Sequence, residues 1–230
     1  MPEFDDDRLE RTVEITARAV RLEGTLGVPA TARGVVLFAH GSGSSRFSPR
    51  NRYVARVLRD AGLGTLLLDL LSPGEEEVDE VTREHRFDIA MLADRLVAAV
   101  DWLATEPEAS RLGIGLFGAS TGGGAALVAA SERPSRVRAV VSRGGRPDLA
   151  GDALATVRCP TLLVVGGEDD VVLELNEAAR ARMRATVRLV TVPGATHLFE
   201  EPGALEAVAA LARDWFLEHL GSASGRVAGA

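Results

Sequence analysis

The chain contains no lysine and only one cysteine, Cys159, among its 230 residues. Without lysine it cannot form the Gly-Lys-Ser/Thr end of a phosphate-binding P-loop, so that class of nucleotide-binding protein is excluded. A single cysteine cannot form an internal disulfide, and no cluster of histidine and cysteine has the spacing of metal ligands. We therefore expect no disulfide framework, no metal ion and no other cofactor.

Long hydrophobic runs and clustered positive charge are also missing. No run approaches the ~18 apolar residues of a membrane-spanning helix, and no apolar segment follows the acidic residues 1–7. The formal net charge is -7, and the 26 basic residues, all arginine, are scattered. Nucleic-acid and anionic-membrane binders need concentrated positive charge. The sequence thus predicts no nucleic-acid or membrane partner and, with its lone cysteine, a cytoplasmic location.

The chain has the composition of a single α/β domain. Hydrophobic residues make up 46% of it, and at this length one core suffices. Short apolar strands alternate with amphipathic helices, which is typical of a mostly parallel sheet with helices on both faces. We expect one domain over residues 1–230, with flexible tails at 1–11 and 221–230. Residues 71–86 are polar, and we expect a mobile loop there.

One stretch, residues 112–127, joins an apolar strand directly to an alanine-rich helix. It contains Gly-x-Ser-x-Gly, with Gly118, Ser120 and Gly122 in the fixed places. A strand that turns at once into a helix holds the serine in a strained, exposed position, where neighbouring side chains would collide with backbone. The helix N-terminus beside Ser120 also stabilises negative charge. The pattern predicts a nucleophilic serine.

Two other interpretations of this stretch compete with that prediction. Gly113, Gly115 and Gly118 match the Gly-x-Gly-x-x-Gly of dinucleotide-binding proteins, and Glu132 lies near the offset of the ribose-binding acid. The first two glycines lie inside the strand rather than after it, however, and Glu132 belongs to a helix end, so the required context is missing. Alternatively, the small residues serve only the packing of strand against helix.

Further reactive side chains follow the same edge of the predicted sheet, and their order argues against packing alone. Sites in parallel sheets form at the carboxyl ends of the strands. Four side chains lie at or just beyond such ends: His40, Arg143, Asp169 and His197. The order serine, acid, histidine is that of the α/β-hydrolase triad. His197 would take the proton of Ser120 during attack, and a carboxylate would hold the imidazole in the reactive tautomer.

These features resemble the α/β-hydrolase superfamily, and in particular its small, capless, dienelactone-hydrolase-like members. The resemblance extends from Thr12 to Leu220 and rests on four motifs: His40-Gly41-Ser42-Gly43, Gly118-Ala119-Ser120-Thr121-Gly122, Gly166-Gly167-Glu168-Asp169 and Gly194-Ala195-Thr196-His197. It implies the α/β-hydrolase fold. Dienelactone hydrolase itself has a cysteine nucleophile and a glutamate after the first parallel strand, so Ser120 implies a serine esterase instead.

The resemblance also decides between two neighbouring acids. Asp169 and Asp170 both satisfy Gly-x-x-Asp, counted from Gly166 and Gly167. Family members usually follow the acid with x-x-Val, which Val172 provides for Asp169. We therefore predict Asp169 as the triad acid and Asp170 as a solvated or helix-capping carboxylate.

The predicted oxyanion hole consists of backbone N–H groups. The donors implied by the resemblance are those of Thr121 and Ser42, with Gly41 as the alternative to Ser42. We interpret His40 as a structural anchor for the loop that carries Ser42, rather than as a second base.

Three arginines follow strand ends that face the predicted site. Arg46 lies in the loop of the expected oxyanion donor, and Arg143 and Arg146 follow a strand. Family members that act on acidic lactones resemble this arrangement, so Arg46 and Arg143 are predicted to hold a substrate carboxylate through paired hydrogen bonds. Alternatively, the arginines only form ion pairs, with Asp148 or Asp152 as partners.

The remaining histidines and the cysteine receive structural interpretations. His219, in the last turn of the final helix, is predicted to lie on the surface near the negative end of the helix dipole. His85 is predicted to belong to the mobile loop. Cys159 precedes a strand, so we expect it to pack at the edge of the sheet opposite the site.

The spacing of the later strands limits what can cover the site. Residues 143–160 alone separate the strand that follows the nucleophile helix from the next strand, so a cap domain does not fit. We expect an open cleft and a serine hydrolase that cleaves a small carboxylic ester, lactone or thioester. The alternative is a non-catalytic binding or regulatory protein on the same fold, because a fold does not by itself determine function.

Overall fold

The computed structural model describes residues 10–221, which form an eight-stranded sheet flanked by helices. The strands are β1 (Glu10–Ala17), β2 (Val20–Gly27), β3 (Gly34–Ala39), β4 (Gly64–Leu68), β5 (Gly113–Ala119), β6 (Val137–Arg143), β7 (Thr161–Gly166) and β8 (Val187–Val192). Their spatial order is β1-β2-β4-β3-β5-β6-β7-β8. β2 is antiparallel to both β1 and β4, and every other pairing is parallel.

Helices cover both faces of this sheet. They are α1 (Pro49–Asp60), α2 (Pro73–Thr82), α3 (Ile89–Leu103), α4 (Thr121–Glu132), α5 (Asp170–Arg182) and α6 (Ala204–Leu220). α1 and α6 pack on one face, and α3, α4 and α5 on the other. Between β6 and β7 the chain forms only a kinked 3-10 segment, Pro147–Ala155. The predicted capless α/β-hydrolase fold is confirmed.

The burial of the strands follows their sequences. β3 is apolar throughout, and all its residues are buried, as expected for a strand with helices on both faces. β1 instead alternates, with Val13 and Ile15 buried between exposed neighbours, because one face of this edge strand meets solvent. Within residues 10–221 no helix is long and apolar enough to cross a membrane.

The first strand begins earlier than the sequence suggested. Glu10 and Arg11 pair with Gly27 and Leu26 of β2, so the expected N-terminal tail, 1–11, is two residues too long. Both residues pair with β2. Their polar side chains do not indicate a strand, so the sequence did not predict this pairing. Gly221, the first residue of the expected C-terminal tail, is the C-cap of α6, and the remaining tail residues, 1–9 and 222–230, lie outside the described residues.

The predicted mobile loop at 71–86 is wrong, because most of it forms α2. Ser72 caps the helix through its side chain, Pro73 occupies the first turn, and the Ser72 N–H donates to the Glu75 carboxylate at 2.8 Å. This reciprocal arrangement is a capping box, which satisfies two backbone donors at the helix start. Arg95 of α3 forms an ion pair with Glu75 and so links α2 to α3. Hydrogen bonds and ion pairs, rather than apolar periodicity, stabilise this helix.

Candidate active site

Ser120 lies at the turn between β5 and α4 in a left-handed backbone conformation, with φ 50° and ψ -123°. For a residue with a side chain, such strain costs about 1–3 kcal/mol. Hydrogen bonds hold it in place: its N–H donates to the Arg143 carbonyl at 3.3 Å, and its carbonyl accepts from the N–H groups of Gly123 and Arg146, each at 3.0 Å. The Ser120 side chain makes no capping hydrogen bond to α4. Ser120 lines a cavity, and its hydroxyl is available to react with a molecule bound there.

The two glycines of the motif are required by close backbone contacts. A Cβ on Gly118 would lie 2.5 Å from the Gly122 carbonyl oxygen, and one on Gly122 would lie 2.3 Å from that of Ala39. Gly115, which the dinucleotide-binding alternative needs after the strand, lies within β5, where a Cβ would be 2.6 Å from Phe216. The glycine pattern is therefore that of a nucleophile elbow and not of a dinucleotide site.

His197 and Asp169 are joined by a hydrogen bond, with 2.7 Å between Nδ1 and Oδ2. Asp169 follows β7, and His197 follows β8. Because a carboxylate can only accept, the Nδ1 of a neutral His197 carries the proton and its Nε2 is left as a base. Asp170 is an exposed residue in the first turn of α5. The structure thus brings Asp169, rather than Asp170, to the histidine.

Ser120 and His197 line the same cavity, which has a volume of about 240 Å³. Among residues 10–221, no hydrogen bond joins the Ser120 hydroxyl to the imidazole. Catalytic hydrogen bonds of this kind often shorten only when substrate binds. With 39% of its side chain exposed, His197 can be reached from the cavity, so one substrate could contact both residues.

The loop after β3 meets the start of α4 beside Ser120. The Ser42 and Thr121 hydroxyl oxygens are 3.1 Å apart. Within residues 10–221, the backbone N–H groups of Ser42 and Thr121 have no hydrogen-bond acceptor. Both predicted oxyanion donors therefore lie next to Ser120 and are available, and Gly41 stays open as an alternative donor.

His40 fixes this loop through both ring nitrogens. Its Nε2 accepts a hydrogen bond from the Leu70 N–H at 2.9 Å, so the proton must be on Nδ1, which donates to the Gly41 carbonyl at 2.9 Å. Burial lowers the pKa of His40, which favours this neutral form. The interpretation of His40 as a structural anchor is confirmed.

The structure separates the three arginines singled out in the sequence. Arg46 does not line the cavity, and its guanidinium forms ion pairs with Asp69 and Glu23. Its predicted substrate-binding role is therefore wrong. Arg146 forms a bidentate ion pair with Asp148, in which Nε donates to Oδ1 at 2.8 Å and Nη2 donates to Oδ2 at 2.7 Å. Arg143 alone of the three lines the cavity of Ser120.

Sequence reasoning missed two parts of the site region. Arg50, at the start of α1, also lines the cavity, and nothing in its local sequence distinguishes it from the other arginines. A second cavity of about 170 Å³ lies on the other side of the Ser42 loop, lined partly by α2. There the buried Asp79 carboxylate accepts hydrogen bonds from the N–H groups of His85 and Arg86, at 2.8 and 2.9 Å.

His85 and His219 differ from their predicted settings, whereas Cys159 does not. His85 belongs to the hydrogen-bonded turn that follows α2 rather than to a mobile loop. His219 is mostly buried, and its ring meets that of Trp215 edge-on at 4.4 Å. Cys159 is 7% exposed and lies just before β7, at the opposite end of that strand from Asp169. Its predicted packing role is confirmed. Within residues 10–221, no cluster of acidic, histidine and cysteine side chains could hold a metal ion.

The capless sheet, the elbow and the histidine–carboxylate pair define the α/β-hydrolase class. Within it, the chain belongs to the Dienelactone hydrolase family, whose family model matches residues 22–220. The predicted resemblance is confirmed. Membership of this family supports a hydrolase.

Two solved structures are similar to this chain. The crystal structure of dienelactone hydrolase from Anabaena variabilis has a TM-score of 0.90 and 61% identity, covering 92% of this chain and 98% of that one. An esterase domain from a Rhodothermus marinus protein shares the fold at a TM-score of 0.71 and 22% identity, covering 91% of this chain and 99% of that one.

The curated relatives are longer proteins. Two Mycobacterium tuberculosis proteins, provisionally named phosphoribosyl transferases, are 59% identical over 211 residues, which is 92% of this chain and 47% of theirs. The chain therefore spans about half the length of the curated relatives that it matches.

Proposed function

We propose that the protein is a serine hydrolase that cleaves a small carboxylic ester, lactone or thioester through Ser120, His197 and Asp169. The observation that carries the proposal is the 2.7 Å bond between His197 and Asp169 at a cavity that the elbow serine also lines. The esterase relative and the family support ester hydrolysis in general.

In the proposed reaction, the Ser120 oxygen attacks the substrate carbonyl while His197 Nε2 takes the hydroxyl proton. The charged imidazolium is stabilised by Asp169, and the tetrahedral oxyanion by the N–H groups of Thr121 and Ser42. Collapse of this intermediate breaks the bond to the leaving group, which receives the proton from His197 and departs. Water then attacks the acyl-enzyme by the same route and releases the acid and free Ser120.

The surroundings of the cavity favour small substrates. With a volume of about 240 Å³ and no cap domain among residues 10–221, the cavity suits small soluble esters better than long lipids. The proposal includes a cytoplasmic location, which the lone cysteine supports.

Phosphoribosyl transfer, after which the mycobacterial relatives are named, is not part of the proposed function. About half of each relative lies outside the matched part, so an activity of the whole protein need not belong to this half. The elbow serine and the histidine–carboxylate pair provide the nucleophile and the base that acyl transfer needs, and they support acyl transfer rather than phosphoribosyl transfer.

Labelling with a fluorophosphonate tests the proposal, because this probe reacts with serines that a neighbouring base activates. We expect a single adduct on Ser120, located by peptide mass spectrometry, and none in Ser120→Ala. Ser131→Ala, on the same helix with its hydroxyl bound to the Val128 carbonyl, is the control and should be labelled like the wild type. An unlabelled wild-type protein that hydrolyses no para-nitrophenyl acetate would favour the non-catalytic alternative.

A further inference from the structure

Asn51 is a buried polar residue whose side chain has no hydrogen-bond partner in the described chain. The residue is 3% exposed, and its Oδ1 is buried and unpaired among residues 10–221. Its backbone N–H donates to the Ser48 hydroxyl at 3.4 Å, but within the same residues neither atom of the carboxamide is hydrogen-bonded. An unpaired buried polar group is unfavourable, so the position of Asn51 needs an explanation.

Asn51 belongs to the face of α1 that packs on the sheet. Val54, Ala55 and Leu58 of this face are buried in the apolar core on that side, and they follow Asn51 at the spacing of one helix face. An apolar side chain at position 51 would continue this face and leave no polar group unpaired. Packing alone therefore does not require an asparagine here.

The chain's other asparagine shows how this fold uses a buried carboxamide for structure. Asn176 Nδ2 donates to the carbonyls of Gly145 and Val172, at 3.0 and 2.7 Å. It thereby links α5 to the segment that follows β6. Within residues 10–221, the Asn51 carboxamide makes no such link, so the folded chain itself does not explain it.

Asn51 lines the cavity of Ser120 and His197, where the proposed chemistry takes place. Most of the other side chains that line this cavity can also form hydrogen bonds, namely those of Ser42, Ser44, Ser48, Arg50 and Arg143. Among the described residues, only Ala119 and Leu198 bring apolar side chains to it. A molecule in this cavity is therefore surrounded by hydrogen-bonding groups rather than by an apolar wall.

We propose that the Asn51 carboxamide binds a neutral polar group of the substrate, a hydroxyl or an amide, next to the ester that Ser120 attacks. This inference rests on the proposed hydrolase function and names the class of ester that the site prefers. A carboxamide has an acceptor oxygen and a donor NH₂ group. A hydroxyl or an amide can pair with both, because it donates and accepts, whereas a carboxylate cannot donate and an ammonium group cannot accept. The substrate would thus supply the partner that residues 10–221 do not provide.

Pairs of esters that differ at a single polar group test the proposal. For the acyl half, the pairs are ethyl lactate with ethyl isobutyrate, and N-acetylglycine ethyl ester with ethyl levulinate. For the alcohol half, the pair is 2-hydroxyethyl acetate with propyl acetate. In each pair a methyl or methylene group replaces the hydroxyl or the amide N–H. The preference is the kcat/KM of the polar member divided by that of its apolar partner.

Asn51→Leu assigns this preference to Asn51, because leucine has a similar size but forms no hydrogen bond. For at least one pair the preference should fall about tenfold relative to the wild type, as expected when a hydrogen bond to the substrate is lost. Differences in the intrinsic reactivity of two esters cancel in this comparison. Arg52→Gln, at an exposed position of the same helix, is the control and should keep the wild-type preference. An unchanged preference in Asn51→Leu for every pair would overturn the proposal.

Thermal unfolding without ligand separates a binding role of Asn51 from a structural one. Asn51→Leu should leave the Tm unchanged or raise it, because it removes a buried polar group that has no partner. Asn176→Leu, the matched control, should lower the Tm, because it breaks two buried hydrogen bonds. A fall in the Tm of Asn51→Leu as large as that of Asn176→Leu would show that Asn51 is structural and would overturn the proposal.

Binding without turnover separates this inference from the proposed hydrolase function. The ligands are the amides that correspond to the same esters, with N–H in place of the ester oxygen. In at least one pair the polar amide should raise the Tm of the wild type more than its apolar partner does at equal concentration, since ligands that bind only the folded state stabilise it. Asn51→Leu should abolish this difference, and its absence from the wild type would overturn the inference. If no ester is hydrolysed and Ser120 is not labelled, the hydrolase proposal fails, while the Tm shifts still decide whether Asn51 binds the polar group.

Discussion

Asp169 Oδ2 lies 2.7 Å from His197 Nδ1, and the pairing of two neighbouring strands explains why. β7 and β8 are parallel, and their register ends with Gly166 opposite Val192. The loops that follow these residues leave the sheet side by side and carry the carboxylate and the imidazole to each other. Asp170, one residue further on, already belongs to α5 and is directed by the helix rather than by this loop.

This relationship predicts unequal effects of three substitutions on the hydrolysis of a neutral ester. His197→Ala should lower kcat by at least about 10⁴-fold, because no other histidine and no carboxylate among residues 10–221 lines the cavity to take the Ser120 proton. Asp169→Asn should cost somewhat less, since the base remains but loses its orientation and charge stabilisation. Asp170→Asn, the matched control, should stay within about twofold of wild type, as surface changes usually do. If Asp170→Asn lowered kcat more than Asp169→Asn, Asp170 and not Asp169 would be the triad acid.

The sheet and the elbow could be predicted because their causes are local. A strand buried on both faces must be apolar throughout, as β3 is, and a strand that turns at once into a helix needs Gly118 and Gly122. α2 was missed because its stability comes from Ser72 and Glu75 at its start rather than from a repeated apolar face. The capping pattern Ser-Pro-Gly-Glu was present in the sequence and could have indicated a helix.

The roles of the arginines could not be predicted in the same way. Arg46 follows β3 and Arg143 ends β6, both at the edge of the sheet that carries the site, and their local sequences do not distinguish them. Their difference depends on distant partners: Asp69 and Glu23 bind Arg46, whereas no carboxylate binds Arg143 within the described residues. Ion pairs between segments far apart in the chain leave no local pattern, so only the three-dimensional structure separates a bound arginine from an available one.

The Cys159 thiol should react slowly in the native protein. Burial raises its pKa to about 11, which lowers the thiolate fraction near neutral pH about 100-fold relative to an ordinary thiol. The greater intrinsic nucleophilicity of a more basic thiolate offsets part of this, leaving about a tenfold reduction, to which steric protection adds. Reaction with a disulfide reagent should therefore be at least about tenfold slower in buffer than in urea, with Cys159→Ser as the unreactive blank. Equal rates would show that the thiol is exposed in solution.

Asp79 joins α2 to the turn that follows it. Its carboxylate is 2% exposed and pairs with the Arg86 guanidinium at 2.6 Å. Burial alone would raise the pKa of Asp79, but the hydrogen bonds from the Arg86 backbone and side chain and from the His85 N–H outweigh it, and the pKa lies below its ordinary value. The Arg86 carbonyl in turn accepts the Ser42 hydroxyl at 3.4 Å, so this pair also contacts the loop beside Ser120.

Asp79→Asn should lower the free energy of unfolding by about 3 kcal/mol near neutral pH, because it leaves Arg86 without its buried partner. A carboxylate whose pKa is lower in the folded than in the unfolded state stabilises the protein above the unfolded pKa, about 3.9, and loses this contribution as the pH falls through the folded value. The difference between wild type and Asp79→Asn should therefore shrink as the pH is lowered below about 4. Urea unfolding at a series of pH values measures it, with Glu77→Gln, an exposed carboxylate on the same helix, as the control that should change little. A difference that stays constant from neutral to acid pH would mean that the charge of Asp79 does not stabilise this segment.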